Sequence, residues 1–342
     1  MLKVAILGGT GYTGKYLIQF CNNHPFIDTM HIYANTTAGE NLYNIFPELI
    51  GRIENQTIKS ITTVSADYDA YFIALPHGTS VEIISKLLSY DKLVIDLGGD
   101  YRLDSNKLCK EWYGFSHTNE ALLQSKIYGL AEFADYSSGT KLIANPGCYP
   151  TAALLSLIPI IKYFEMEIIS ISVNAYSGTS GAGKKADANL LLSEMDGNVK
   201  AYNVNKHRHE PEIYQELSKE GKINSFSFTT HLLPISRGIY STASIHFNKL
   251  VKAENIMDTY LDAYSKSQFV RIRENPPSLS WVINTNYCDI SISVKENVLI
   301  VNAAIDNLIK GAAGQAFQNL NKYFGWDESL GIKTNLFAIN NY

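Results

Sequence analysis

The sequence predicts an α/β protein of two domains, a doubly wound domain followed by one built on an antiparallel or mixed sheet. Three observations predict this. Short apolar runs alternate with helical patterns in the first part of the chain, a glycine-rich turn follows the first run, and longer period-two segments fill the later part. A chain of 342 residues also suits two domains at about 100–200 residues each.

Lys3 to Leu7 is an apolar run ended by glycine, the pattern of a strand buried on both faces. Gly8, Gly11 and Gly14 follow at three-residue spacing, and a helical pattern continues through Phe20. Met30 to Ala34, Tyr71 to Leu75, Leu93 to Asp96 and Lys141 to Ala144 read as further strands, with a helix over Val81 to Ser89. Thr151 to Phe164 reads as a helix. Glu167 to Tyr176, Ser225 to Leu233 and Tyr240 to Phe247 alternate at period two, as strands with one covered face do. Val298 to Ala304 is a strand and Asn307 to Tyr323 a helix. No repeat or low-complexity linker divides the chain. The boundary is therefore expected at the Pro-Gly-Cys turn: residues 1–147 with a returning C-terminal segment of about 307–342, and residues 148–306 between them.

Composition narrows the function classes. The formal net charge is −4 and no basic tract is visible, which argues against a nucleic-acid partner. No run of 18 apolar residues reads as a membrane span, and no signal peptide precedes the first strand. Cys21, Cys109, Cys148 and Cys288 form no CxxC pair, so zinc ribbons and thioredoxin-like sites have no support. Four scattered thiols read as reduced cysteines. The expectation is a soluble, cytoplasmic protein without a structural metal.

The turn Gly8-Gly9-Thr10-Gly11-Tyr12-Thr13-Gly14 joins a strand to a helix. Glycines there permit a tight turn and let backbone N–H groups approach a pyrophosphate, whose charge the helix dipole favours. The alternative is an ordinary turn with packing glycines. An NAD site usually carries an acid after the second strand, whereas Asn35, Thr36 and Thr37 stand here. Those groups tolerate a 2′-phosphate, so NADP is favoured, although no arginine stands beside them.

Asn145-Pro146-Gly147-Cys148 precedes the apolar helix. A thiolate is the reactive form of cysteine, and a helix N-terminus favours it. Backbone N–H groups of the same turn suit an oxyanion. The alternative is a small buried hydrophobe, which suits Cys21, Cys109 and Cys288. A thiol working with a nicotinamide implies a thioester reduced to an aldehyde, or the reverse. Such chemistry needs an acid/base and cations. Lys206 to Glu212 (KHRHEPE) offers His207 and His209 as acid/base, or else forms a solvated turn. Ser177 to Lys185 (SGTSGAGKK) resembles an anion cradle, and Arg237 a carboxylate or phosphate clamp.

These segments together resemble the N-acetyl-γ-glutamyl-phosphate reductases, relatives of aspartate-semialdehyde dehydrogenase. The resemblance is carried by GGTGYTG at Gly8, LPHGTS at Leu75, DLGGDYRL at Asp96, YGLAEF at Tyr128, NPGCYPT at Asn145, SGTSGAGKKA at Ser177, HRHEPEI at His207, HLLPISRGI at His231 and NLIKGAAGQAFQNLN at Asn307. It spans nearly the whole chain. It implies a Rossmann domain that receives the C-terminal helix, and an α+β domain that carries the contacts of a homodimer or homotetramer. The implied reaction is NADPH-dependent reduction of an acyl phosphate to the γ-semialdehyde, in arginine biosynthesis. Cys148 matches the nucleophile; His207 matches the acid/base best, with His209 the second candidate. By the same resemblance, Arg102, Asn145, Ser177, Ser180, Lys184, His231 and Arg237 are expected to hold substrate. Gly8, Thr10, Gly11, Tyr12, Thr13, Gly14, Asn35, Thr36, Pro76, Ser180, Gly181, Gly183, Asn307 and Gln315 are expected to hold cofactor.

Three departures stand out. Asn35-Thr36-Thr37 replaces the Ser-Arg often found after the second strand, Gly98-Gly99 replaces Ser-Ala, and Lys184 stands where an arginine is usual. A lysine there acts without a bidentate fork. Two other readings stay open: a related reductase of N-succinyl-glutamyl, carrier-linked aminoadipyl or aspartyl phosphate, and a non-catalytic NADP-binding regulator.

Overall fold

The computed structural model describes residues 1–184 and 186–332. The chain divides into two compact units. One holds Met1–Pro146 and a C-terminal return that begins at Ala312; the other holds Gly147–Gly311. The part of the expected C-terminal segment beyond residue 332, and Lys185 of the glycine/serine loop, lie outside the described residues.

In chain order the first unit runs β1 (Leu2–Leu7), α1 (Tyr12–Asn23), β2 (Ile27–Ala34), β3 (Lys59–Ser60), β4 (Ala70–Ile73), α2 (Val81–Leu88), β5 (Leu93–Asp96), α3 (Asn106–Tyr113), β6 (Ile127–Tyr128) and β7 (Leu142–Ala144). The second runs α4 (Cys148–Phe164), β8 (Ile168–Ser177), β9 (Lys200–Tyr202), α5 (His209–Glu220), β10 (Phe226–Leu232), β11 (Ile239–Phe247), α6 (Ala253–Tyr264), β12 (Val270–Arg273), β13 (Cys288–Lys295) and β14 (Val298–Ile305). Helix α7 (Gly314–Tyr323) belongs to the first unit.

The first sheet has the order β3-β2-β1-β4-β5-β7-β6 with every pair parallel. Strand order reverses at β1 and β4, so the glycine turn after β1 leaves the sheet at the switch point, where ligands of such sheets bind. Helices lie on both faces. Ile84 and Leu87 of α2 join Ala5, Leu7, Tyr71 and Ile73 in one apolar cluster. Against β4, Phe72 stacks on Phe317 of α7 with centroids 5.0 Å apart, and Phe20 of α1 meets Phe317 edge-on at 5.4 Å. That is the doubly wound arrangement expected.

The second sheet has the order β12-β13-β14-β11-β8-β10-β9 and is mixed: β12 with β13 and β8 with β10 are parallel, the other pairs antiparallel. Helix α4 packs between this sheet and helices α5 and α6, buried from Tyr149 to Ile161. Each of its fully buried Leu and Ile side chains stabilises the fold by about 1.5–3 kcal/mol.

Several boundaries differ from the expected ones for physical reasons. Strand β2 begins at Ile27 rather than Met30, because Leu2 and Lys3 pair with Ile27 and Thr29. Helix α4 begins at Cys148 rather than Thr151. Pro150 sits in its first turn, where a missing N–H leaves no intrahelical bond unmade. The final helix is not continuous from Asn307: Ile309–Ala313 forms a π turn before α7. There the Gly311 N–H donates to the Asp306 carbonyl, five residues back.

Phe317 is fully buried at the centre of the α1–β4–α7 contact. Phe317→Ala is expected to cost about 3–5 kcal/mol by leaving a cavity. The measurement is the denaturant midpoint of folding, and a shift no larger than that of a surface substitution would contradict this account of α7 docking.

Candidate active site

Cys21, Cys109 and Cys288 are buried, and Cys148 is half-buried. Burial pushes the Cys109 thiol up to about 11, so it is inert as a nucleophile, and burial pushes Cys21 higher still. Cys148 is the first residue of α4, and Gly147 is the N-cap, extended at φ −66° and ψ 158°. No side chain caps this end, so the helix dipole acts on the thiol turn itself.

Two close approaches define the turn. A Cβ on Gly147 would lie 2.4 Å from Nε2 of His209, so the imidazole lies against the Gly147 backbone. A Cβ on Gly311 would lie 2.8 Å from the Cβ of Cys148, so the π turn lies against the cysteine. The Gly147 N–H donates to Oε1 of Glu212 at 2.8 Å, and Glu212 is fully buried.

The two histidines occupy different settings. His207 packs edge-on to Tyr149, Tyr202 and Phe228 at 5.3, 5.5 and 5.8 Å. Burial, helped by Arg208, lowers its pKa to about 4, so the ring is neutral. Its Nδ1 accepts the backbone N–H of His209 at 3.2 Å. Tyr149 and Tyr202 share a hydroxyl hydrogen bond of 2.9 Å beneath this pair. His209 contributes the ring that reaches the thiol turn.

Other expected substrate residues serve the scaffold of the second unit. Arg237 bonds Asn284 at 2.7 Å through Nη1 and forms an ion pair with buried Asp306 at 2.6 Å. Asp306 accepts the Leu308 and Ile309 N–H groups at 2.9 and 3.1 Å. Arg237, expected as a clamp on substrate, braces the π turn in this way, and the buried carboxylate gains a counter-charge. Asn307, expected to hold cofactor, takes the Gly238 N–H at 2.7 Å and donates to Ser180 Oγ at 3.0 Å. Ser177 turns its hydroxyl to the Gly178 carbonyl. His231 stacks on Tyr176 with centroids 4.6 Å apart, and its buried Nδ1 has no hydrogen-bond partner within the protein. Lys184 is exposed beside Gly183, and a Cβ on Gly181 would lie 3.4 Å from Ser177 Oγ.

In the first unit Arg102 and Asn145, expected to hold substrate, are buried. Arg102 donates to the carbonyls of Asn145 and Leu97 at 2.9 and 2.8 Å. Asn145 donates to the Ala312 carbonyl at 3.3 Å and accepts from Asn319 at 3.0 Å. These bonds fix the exit of β7.

The dinucleotide fit can be tested on the same unit. Gly8 adopts φ +81°, with space for a Cβ closed by the Ala74 carbonyl at 2.2 Å, so the turn is bare backbone. Gly11 caps α1 without a side chain, and Thr10, Tyr12, Thr13 and Gly14 complete the turn. Thr37 donates to Thr10 Oγ1 at 3.3 Å, which leaves Asn35 and Thr36 exposed beyond β2. Pro76 is exposed after β4. Gln315 donates to the Gly129 carbonyl at 3.1 Å, while its buried Oε1 has no hydrogen-bond partner within the protein. A bare loop at an uncapped helix start and an orphaned buried acceptor fit a bound dinucleotide. Among the described residues no cluster of His, Cys, Asp or Glu could hold a metal, and no helix is long and apolar enough to cross a membrane.

Sequence reasoning missed Glu212, Asp306 and Gly311. All three lie inside or beside motifs it singled out: Glu212 in HRHEPEI, Gly311 in NLIKGAAG, Asp306 one residue before that run.

Residues 3–138 match the family model "Semialdehyde dehydrogenase, NAD binding domain", and residues 148–307 match "Semialdehyde dehydrogenase, dimerisation domain". The chain is similar to an N-acetyl-gamma-glutamyl-phosphate reductase of Shouchella clausii, 42% identical over 97% of this chain and 98% of that one. It is similar to another so named from Clostridium novyi, 38% identical over the same shares. Among solved structures, aspartate semialdehyde dehydrogenase II of Vibrio cholerae complexed with ASA aligns at a TM-score of 0.69 and 16% identity, covering 94% of this chain and 97% of that one. The enzyme of Candida albicans with NADP aligns at 0.65 and 15% identity, covering 94% and 99%. At such identities the structural matches speak for the fold alone.

Gly311→Ala would press a methyl group into the Cys148 Cβ. Displacing reacting atoms by about 1 Å costs on the order of 10²-fold in rate. We expect kcat of the Gly311→Ala protein to fall by about that factor with dinucleotide affinity unchanged, as read by steady-state kinetics and fluorescence titration.

Proposed function

The chain belongs to the N-acetyl-gamma-glutamyl-phosphate reductases of the semialdehyde dehydrogenase family, and from that membership we propose how its residues carry the reaction. The reaction reduces N-acetyl-γ-glutamyl phosphate to the γ-semialdehyde, with release of phosphate, in arginine biosynthesis. The observation that carries the mechanism is Cys148: a half-buried thiol at an uncapped helix N-terminus, in a turn covered by the ring of His209.

His209 takes the thiol proton, and the thiolate attacks the acyl carbon. Phosphate leaves with the electron pair of its C–O bond, and a thioester to Cys148 remains. NADPH, which the Gly8–Gly14 turn and the start of α1 would hold, would supply the hydride. His209 returns its proton to the oxygen as the hemithioacetal forms. His209 takes that proton back from the oxygen as the C–S bond breaks, freeing the aldehyde and the thiolate. The first-turn N–H groups of α4 suit the oxyanion of both tetrahedral states.

The geometry supports His209 over His207 as acid/base. The neutral His207 ring is enclosed by aromatic side chains, and its Nδ1 is spent on His209. His207 then acts by orienting its neighbour. Gly8, Gly11 and the start of α1 would hold the pyrophosphate, and Gln315 offers a buried acceptor. Asn35 and Thr36 present no carboxylate to a 2′-phosphate, which supports NADP over NAD. The dimerisation-type second unit supports a homo-oligomer.

Cys148→Ser is expected to lower kcat by about 10³-fold or more while NADPH still binds. Mass spectrometry of wild type mixed with substrate and no NADPH should find the acyl adduct on the Cys148 peptide. Adduct at another residue, or an active serine variant, removes the covalent mechanism. His209→Asn should lower kcat by about 10²–10⁴-fold, the range for a general base, and His207→Asn by less than His209→Asn. The reverse ranking in steady-state assays would restore His207 as the acid/base.

A further inference from the structure

We propose that Glu212 is the positioning residue of the thiol turn: its carboxylate, held on α5, fixes the peptide that carries Cys148. The inference rests on Cys148 being the nucleophile, and deepens that reading by naming what holds it.

Glu212 is fully buried. A buried carboxylate costs several kcal/mol of desolvation unless strong hydrogen bonds offset it. Its Oε1 accepts the N–H of Gly147 at 2.8 Å, a bond to the residue next to the cysteine. Glu212 follows His209 by three positions in the first turn of α5, so both side chains leave one face of the helix. His209 covers the Gly147 Cα from that same face. One rigid helical turn therefore holds Gly147 by a bond and a ring at once, and sets nucleophile and base in a common frame. An acid in the first turn of a helix ordinarily serves the dipole from solvent. Here the side chain points inward, to the start of another helix.

The test uses the full-length protein in three forms. Glu212→Gln keeps an oxygen that can accept the Gly147 N–H. Glu212→Met fills the space without an acceptor. Glu212→Ala removes both. We expect kcat of the Met and Ala proteins to fall by about 10²-fold, the size of a 1 Å misplacement, with NADPH affinity unchanged. The Gln protein should recover to within about tenfold of wild type. The Gln and Met forms carry the comparison if the Ala form does not fold. Equal activity of Gln and Met proteins, or near-wild-type kcat in Met, overturns the proposal. Cys148→Ser is assayed alongside: if it is inactive while Glu212→Met is fully active, only the role of Glu212 is lost. An active Cys148→Ser removes the covalent reading beneath it.

Discussion

The second unit is organised around the close approach of backbone at the start of α4. Gly147 lies under the His209 ring, and Gly311 lies against Cys148. Neither contact leaves room for a side chain. Such proximity excludes bulk from the turn, keeps the sulfur at the start of the helix, and brings a ring nitrogen beside the preceding residue. It has to be enforced, because a strand-to-helix turn left alone has many conformations. The enforcement comes from Glu212 on one side and the π turn on the other.

The π turn has its own cause. Asp306 offers its carboxylate to two N–H groups ahead and its carbonyl to Gly311, which inserts one residue beyond the α-helical register. A buried carboxylate doing this needs a cation, and Arg237 supplies it. The neighbouring Asn307 fixes Gly238 and Ser180, so the strand exits around β8 and β11 are tied to the same point. Arg237 and Asn307 thereby set where Gly311, Gly238 and Ser180 stand.

How far the sequence discloses this depends on the range of the forces involved. The parallel strands β1, β4 and β5 are buried on both faces and read directly as apolar runs, and β8 and β11 read from alternation. Strands β3, β6 and β9, of two or three residues, have no length in which a period can register. The placement of Cys148 at a helix start is legible because the turn chemistry is local. The different settings of His207 and His209 are not. Two residues apart, both meet Tyr149, and Tyr202 and Phe228, distant in sequence, pack on His207. Glu212 was hidden for another reason. Acids in a first helical turn are common for the dipole alone, and only burial distinguishes this one.

The first unit shows why the chain makes its C-terminal return. Asn145 and Ala312 stand at the residues where the chain nears departure from this unit and resumes it, and they are hydrogen-bonded to each other. Asn319 of α7 grips Asn145 and the Gly129 carbonyl, and Tyr136 donates to Asn319 at 2.5 Å. Arg102 holds the Asn145 carbonyl. The segment just upstream of the cysteine is therefore built into a buried network whose members all have partners. Breaking one bond strands a polar group away from water, at a cost of about 1–3 kcal/mol, more than the bond itself contributes. That asymmetry turns modest hydrogen bonds into a rigid mount. It also accounts for how α7 packs its Phe317 on β4 and extends its asparagine to the exit of β7.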